Sequence, residues 1–251
     1  MRSVPWWECG PVLQASAPSE VLAALQPLLR RMGITRVANI TGLDQVGIPV
    51  AVAVRPQSRS LAVAQGKGLT LEEAKVSAIM EAAETFHAER ISQPVLYGNA
   101  AAIAKEHPGV VDVGRLPWST LGGYCPERAM LWVEGADLAS GEPIWVPLQS
   151  VHTAYTPAAA SPSGLYACTS GLSAGASYSH AIGHGIFELV ERDATVLHKL
   201  LQEDAQDARR LDLATVDDAV PCNLIERVRL AGLSISIWDI TTEIGIAVFA
   251  C

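Results

Sequence analysis

"AQGKGLTLEEAKVSAIMEAAETFHAE", residues 64–89, decides how this chain is read. It opens with Gly66-Lys67-Gly68 and runs into a helix that carries Glu81 and Glu84 among alanines. Thr70 and Glu73 form a Thr-x-x-Glu capping box, which fixes the start of a helix reaching about residue 90. At ~100° per residue, Ser77, Glu81 and Glu84 share one face, closely flanked by Ala78, Ile79, Ala82, Ala83 and Phe86. Carboxylates so close together in apolar surroundings repel one another and lose hydration unless a cation joins them. A solvated helix face is the alternative reading. Lys67 stands between glycines just ahead of a helix, where outward-pointing amides and the helix dipole favour an anion. The loop is not of the GxxxxGK[ST] type, because Gly68 stands where Ser or Thr is required. Taken alone, Lys67 also reads as an ordinary turn lysine.

A second stretch, "SYSHAIGHGIFELVERDA" (residues 177–194), repeats the pattern. His180, His184, Glu188 and Glu191 fall on one helical face, with Ile182, Ile186, Leu189 and Val190 on others and Arg192-Asp193 following. Four carboxylates on two helices suit a hard, oxygen-seeking ion such as Mg²⁺ if the faces converge. The preceding "TSGLSAGAS" (residues 169–177) offers backbone amides to a phosphate, or is a flexible loop.

The bulk composition narrows the class. A chain of 251 residues with 49% hydrophobic and 18% charged residues is globular, and long enough for one large domain or two small ones. A net charge of −8 argues against nucleic acid, yet permits a nucleotide held through a shared divalent cation. Cys9, Cys125, Cys168, Cys222 and Cys251 are scattered and form no CxxC pair, which fits reduced thiols. "MRSVPWWECG" lacks a signal peptide's apolar segment, and no run is long enough to span a membrane. A cytoplasmic protein is expected.

Along the chain, residues 19–32 read as an amphipathic helix capped by Ser19 and ended by Gly33. Strands are expected in "ITRVANI" (34–40), "IPVAVAV" (48–54) and "SLAVA" (60–64). A short helix covers 99–106, and residues 129–151 read as a β-hairpin turning at Ser140-Gly141. Residues 156–176 read as a loop, followed by helices at 177–202 and 223–231 and strands at 233–239 and 244–250. "RRMGITRVANITGLDQVGIPVAVAV" (30–54) and "VRLAGLSISIWDITTEIGIAVFA" (228–250) echo each other, which suggests a duplicated strand-pair unit. The expected fold class is α/β (α+β mixed), with mixed sheets packed against helices. The final "IGIAVFAC" is a strand without a polar tail, from which further sequence is expected to be missing.

"GKGLTLEEAKVSAIMEAAETFHAE" and "TSGLSAGASYSHAIGHGIFELVERDA", taken together and in this order, resemble the YcaO superfamily. The first looks like that family's GKG followed by Ser-x3-Glu-x2-Glu, and the second like its glycine-rich turn leading to Glu-x2-Glu-Arg-Asp-Ala. "LDQVGIPV" and "LWVEGADLASGEPIWVP" also sit where the family has such segments, so the likeness covers most of the chain from about residue 33. It implies one YcaO-like domain over residues 1–251, lacking its C-terminal portion with a Gln-x3-Arg element. It implies ATP and Mg²⁺ as cofactors. Lys67, Ser77, Glu81, Glu84, Glu188, Glu191 and Arg192 would form the nucleotide site. Glu81, Glu84, Glu188 and Glu191 would hold the metal, with His180 a further candidate ligand. Two positions depart from the family pattern: Ala176 stands where Asn is usual and His180 where Glu is usual.

The activity so implied is ATP-dependent activation of a peptide backbone amide. A Cys, Ser or Thr side chain or an external sulfide adds to the carbonyl, the oxygen is phosphorylated, and an azoline or thioamide results. "GLDQVGIPVAVAVRP" looks most like the branch that makes thioamides with a TfuA-type partner in peptide natural-product (RiPP) biosynthesis. Candidate partners are a peptide or protein substrate, a TfuA-like protein and a second copy of the chain. Two other readings stand beside this one. One is a non-catalytic YcaO-like peptide-binding or scaffold protein. The other is a carboxylate/histidine metalloenzyme built from Glu84-x-x-His87 with His184, Glu188 and Glu191.

Overall fold

Alanine and glycine decide where the first sheet meets its helix. The computed structural model describes residues 17–119, 123, 125–154 and 164–251. Strands β1 (Arg36–Asn39), β2 (Val50–Val54) and β3 (Val63–Lys67) form an antiparallel sheet with β2 in the middle. Alternation along the strands points Ala51, Ala53, Ala64 and Gly66 to one face. Helix α2 (Leu71–Ala88) lies on that face through Ala74, Ala78 and Ala82, all fully buried. A Cβ at Gly66 would sit 2.1 Å from the Ala78 backbone nitrogen, so backbone approaches backbone there. Thr70 and Glu73 form the expected capping box, with Glu73 Oε2 also accepting from the Leu69 amide at 2.6 Å.

β3 runs later than the expected 60–64 and takes in Gly66 and Lys67, which pair with Ala51 and Val50. The small-residue face fixes this register, because a one-residue slip would turn Gln65 or Lys67 toward α2. Gly66-Lys67 is therefore the end of a strand and not a loop.

Helix α1 (Pro18–Leu29) packs beside α2. It begins one residue earlier than expected, because Pro18 with its preset φ takes the first helical position and Ala17 the cap. Where α2 ends, Arg55 and Glu89 form an ion pair at 2.8 Å, with both side chains almost completely buried. Burial pushes the Glu89 carboxyl up, and hydrogen bonds from Ser58, Ser60 and Arg55 more than offset it, holding it at about 2. Arg55 also donates to the Met32 carbonyl at 3.1 Å and to Thr85 Oγ1 at 2.8 Å.

A second antiparallel sheet joins β4 (Val95–Gly98), β5 (Met130–Ala136) and β6 (Pro143–Pro147), with β5 and β6 the expected hairpin. Helix α3 (Ala100–Glu106) places Ile103 against Trp132 and Trp145 in its core. The long helix α4 (Tyr178–Lys199) is capped by Ser177 and is followed by α5 (Glu203–Asp207) and α6 (Ala219–Leu230). α6 starts before the expected residue 223 because Asp218 caps it, accepting from the Val220 amide. The last strands, β7 (Trp238–Asp239) and β8 (Phe249–Ala250), are shorter than expected. Side chains replace ladder bonds there: Asp239 accepts from the Thr241 amide at 3.0 Å, and Thr241 Oγ1 from the Val248 amide at 3.1 Å.

The sequence echo is a structural one. Asn39 accepts from the Thr41 amide at 2.9 Å and Thr41 Oγ1 from the Val50 amide at 3.0 Å, as Asp239 and Thr241 do. Ile40 donates to Val50 as Ile240 donates to Val248. The landmark glycines Gly33, Gly47, Gly232 and Gly245 all have φ between 71° and 77°. The unit α1-β1-β2 thus recurs as α6-β7-β8. Among the described residues no helix is long and apolar enough to cross a membrane.

Removing one partner of a buried ion pair strands the other charge. Glu89→Ala is expected to cost about 3–5 kcal/mol in urea unfolding, because Arg55 stays buried without its counter-ion.

Candidate functional site

With Ala74, Ala78 and Ala82 against the sheet, the Ser77/Glu81/Glu84 face of α2 is turned away from it. That face borders a cavity of about 720 Å³. α1 forms one wall through Val21, Leu25 and Leu28, and the 174–177 turn with His180 and His184 of α4 forms the other. The volume is that of a small-molecule site. It is apolar on the α1 side and polar where α2 meets the turn.

The glycine-rich turn is held from two directions. Glu84 of α2 accepts from the Ala174 amide at 2.8 Å, and Glu188 of α4 accepts from the Gly171 amide at 2.7 Å. Arg192 donates to Glu188 at 2.6 Å and also to Ser170 Oγ at 2.9 Å and Thr169 Oγ1 at 3.3 Å. Ser173 Oγ donates to the Ala181 carbonyl at 2.6 Å. The contact demands glycine: a Cβ at Gly185 would lie 2.8 Å from the Gly171 carbonyl, and one at Gly175 2.5 Å from the Ala181 amide. Two amides that the sequence offers to an anion are thus engaged by carboxylates.

Burial raises the Glu84 carboxyl to about 7; the Ala174 hydrogen bond opposes this, and the charges of Glu81 and Glu188 add to it. Three carboxylates therefore feel one another across the junction of α2, the turn and α4. His180 accepts at Nδ1 from the Ala176 amide at 3.3 Å. With Nδ1 an acceptor, the neutral ring carries its proton on Nε2.

Comparison with known proteins now bears on the site. Residues 65–251 match the model of a family described as YcaO cyclodehydratase, ATP- and Mg²⁺-binding. The chain belongs to the YcaO family. One relative is a protein in the tfuA 3′ region of Rhizobium leguminosarum bv. trifolii, 37% identical over 94% of this chain and 56% of that protein. Another, from Methanothermobacter thermautotrophicus, is 33% identical over 94% of this chain and 60% of its own length. This YcaO chain thus spans little more than half the length of the curated relatives it matches. The structure of YcaO from Methanopyrus kandleri bound with AMPPCP and Mg²⁺ superposes with a TM-score of 0.65 at 24% identity, covering 90% of this chain and 54% of that one. A heterocyclase in complex with substrate and cofactor gives 0.76 at 19% identity, covering 94% and 35%. These two likenesses are of fold, and they bear out the mixed α/β class.

Within this YcaO chain the sequence-derived site residues divide. Ser77, Glu81, Glu84 and His180 border the cavity, and Glu188 lies close enough to raise Glu84. Arg192 sits behind Glu188 on the turn. Lys67 is exposed on the sheet face opposite α2, and Glu191 is exposed on α4; neither lines the cavity. His87 is exposed and packs edge-on against Phe86, outside the cavity. Among the described residues, no three His, Cys, Asp or Glu side chains are grouped as a preformed metal site. Sequence reasoning missed the α1 wall, because only tertiary packing brings Val21 and Leu25 to α2.

A raised carboxyl binds its proton more tightly in the folded state, so its contribution is present below about 4.5 and is lost as pH rises through about 7. Without divalent cations, Glu84→Gln should therefore be more stable than the parent at pH 8 by about 1–2 kcal/mol, a figure reduced for solvent screening. The two should be equal at pH 4.5, as read by urea unfolding at both pH values.

Proposed function

We propose that this chain carries the nucleotide- and metal-binding part of an ATP- and Mg²⁺-dependent enzyme that activates a backbone amide of a peptide or protein. The observation that carries this reading is the convergence of three carboxylates: burial raises Glu84 to about 7, and repulsion from Glu81 and Glu188 adds to it. A divalent cation offsets that repulsion, and hard carboxylate donors favour Mg²⁺. When bound, ATP with Mg²⁺ supplies the phosphoryl group that turns the amide oxygen into a leaving group.

The chain's own residues prepare the site. Glu81, Glu84 and Glu188 are the nearest metal-binding carboxylates, and Glu191 joins them if α4 turns on binding. The α1 wall excludes water from one side of the nucleotide, and Ser77 faces the cavity beside Glu81. His180 presents an Nε2–H donor, which suits a phosphate or hydroxyl oxygen better than a metal. Arg192 fixes Glu188 and the turn, within reach of phosphates placed there. Lys67 reaches the nucleotide only from the far side of the sheet, so it belongs to the site if its exposed side chain wraps round the end of β3.

The tfuA-region relative supports the finer reading of thioamide formation with a TfuA-like partner over azoline formation. Titration calorimetry tests the core of the proposal. Mg²⁺·ATP should bind, and both Glu84→Gln and Glu188→Gln should weaken it by about tenfold or more. No heat at millimolar nucleotide with Mg²⁺ would sink the enzyme reading and leave the scaffold reading.

A further inference from the structure

Strand β1 is the outer strand of its sheet and, among the described residues, pairs only with β2. A groove of about 360 Å³ runs along that edge, lined by Leu22 and Leu29 of α1, Val37, Ile79 of α2, and the two cations Arg36 and Lys75. No residue of α1 is fully buried, although the helix is largely apolar. Neither cation has an ion-pair partner among the described residues, in a chain whose net charge is −8.

The internal repeat shows what this edge accommodates. In the second copy the matching edge of β7 is filled by residues 209–211. Leu211 donates to the Ile237 carbonyl at 2.8 Å, Asp239 donates to the Arg209 carbonyl at 3.0 Å, and Arg210 and Trp238 form an antiparallel bridge. The Arg210 side chain donates to Ser236 Oγ at 2.6 Å. Matching Asn39 and Thr41 to Asp239 and Thr241 puts the Val37 carbonyl and the Asn39 amide where the second copy makes its two strand bonds. It puts Arg36 where Ser236 receives the added strand's side chain.

We infer that the outer edge of β1 is a docking site for an extended, acidic peptide segment, which adds as a fourth strand. Its backbone bonds Val37 and Asn39, a carboxylate on the outer face meets Arg36, and a neighbouring carboxylate on the helix face meets Lys75. The apolar groove then receives alternate side chains. This site rests on the reading of the chain as a peptide-modifying protein and gives that substrate a place to be held, away from the 720 Å³ cavity.

The probe is a fluorescein-labelled octapeptide, acetylated and amidated, of sequence Ser-Thr-Val-Glu-Glu-Val-Thr-Ser, with an analogue carrying Lys at both Glu positions. Fluorescence anisotropy should show the Glu peptide binding about tenfold more tightly than the Lys analogue, since two partly exposed charge pairs are involved. The double variant Arg36→Glu/Lys75→Glu, checked for unchanged circular dichroism, should reverse the preference. Hydrogen exchange should show the Asn39 amide open in the free protein and protected in the complex. Equal binding of the two peptides, or a Glu preference kept by the double variant, would overturn the assignment. So would an Asn39 amide already protected without peptide, which would mean that residues ahead of α1 or a second copy hold the edge. Calorimetry with Mg²⁺·ATP on the same sample separates the two claims. Charge-dependent peptide binding without nucleotide binding supports the dock and sinks the enzyme reading; the reverse sinks the dock alone.

Discussion

The backbone-close packing of α2 on its sheet governs the rest of the molecule. Ala51, Ala53, Ala64 and Gly66 on one side, and Ala74, Ala78 and Ala82 on the other, leave no room for a larger side chain between helix and strands. A helix so tightly seated cannot rotate, because any turn would drive Lys75, Met80 or Glu81 into the alanine layer. The orientation of Ser77, Glu81 and Glu84 toward α1 and the glycine-rich turn is thus set by residues that never touch the cavity. Gly185 and Gly175 do the same for α4, letting it approach the turn until Glu84 and Glu188 grip neighbouring amides.

The α/β duplication gives this arrangement a second meaning. α1-β1-β2 is followed in the chain by β3 and α2, which carry the acidic face, whereas α6-β7-β8 is preceded by α4, which carries the other acids. The two copies therefore flank the helices that build the site. One polar connection joins them: Arg227 of α6 donates to the Gly47 carbonyl at 3.4 Å. The second copy has its outer edge closed by residues 209–211, and the difference between the copies is informative because their internal hydrogen bonds agree so closely.

What was legible in the sequence follows from range. The capping box at Thr70, the hairpin across Ser140-Gly141 and the shared face of Ser77, Glu81 and Glu84 depend on residues a few positions apart, and all three stand in the structure. The family motifs were legible for the same reason. Register was not: "SLAVA" has better strand propensity than "VAQGK", yet the pairing of Gly66 with Ala51 wins because only glycine fits under α2. The Arg55–Glu89 pair joins residues 34 positions apart with no pattern to announce it. Ala17, a poor capping residue, is outweighed by the preset φ of Pro18. The cavity's α1 wall was invisible because an amphipathic helix does not declare which neighbour its apolar side meets.

The position of Lys67 shows how a motif and its geometry separate. "GKG" invites reading as a phosphate loop because glycines flank a cation ahead of a helix. Here each glycine has a packing reason: Gly66 faces the Ala78 backbone, and a Cβ at Gly68 would lie 2.4 Å from the Glu73 Cβ. The helix N-terminus behind Gly68 is already occupied by Glu73, whose carboxylate accepts from the Leu69 and Thr70 amides. Glu73 thus competes with any anion for this end of α2. In the proposed reading, the charge around a phosphate comes instead from the far end of the acidic face, through a cation held between Glu84 and Glu188. The glycines of the opening motif build the platform on which that acidic face stands.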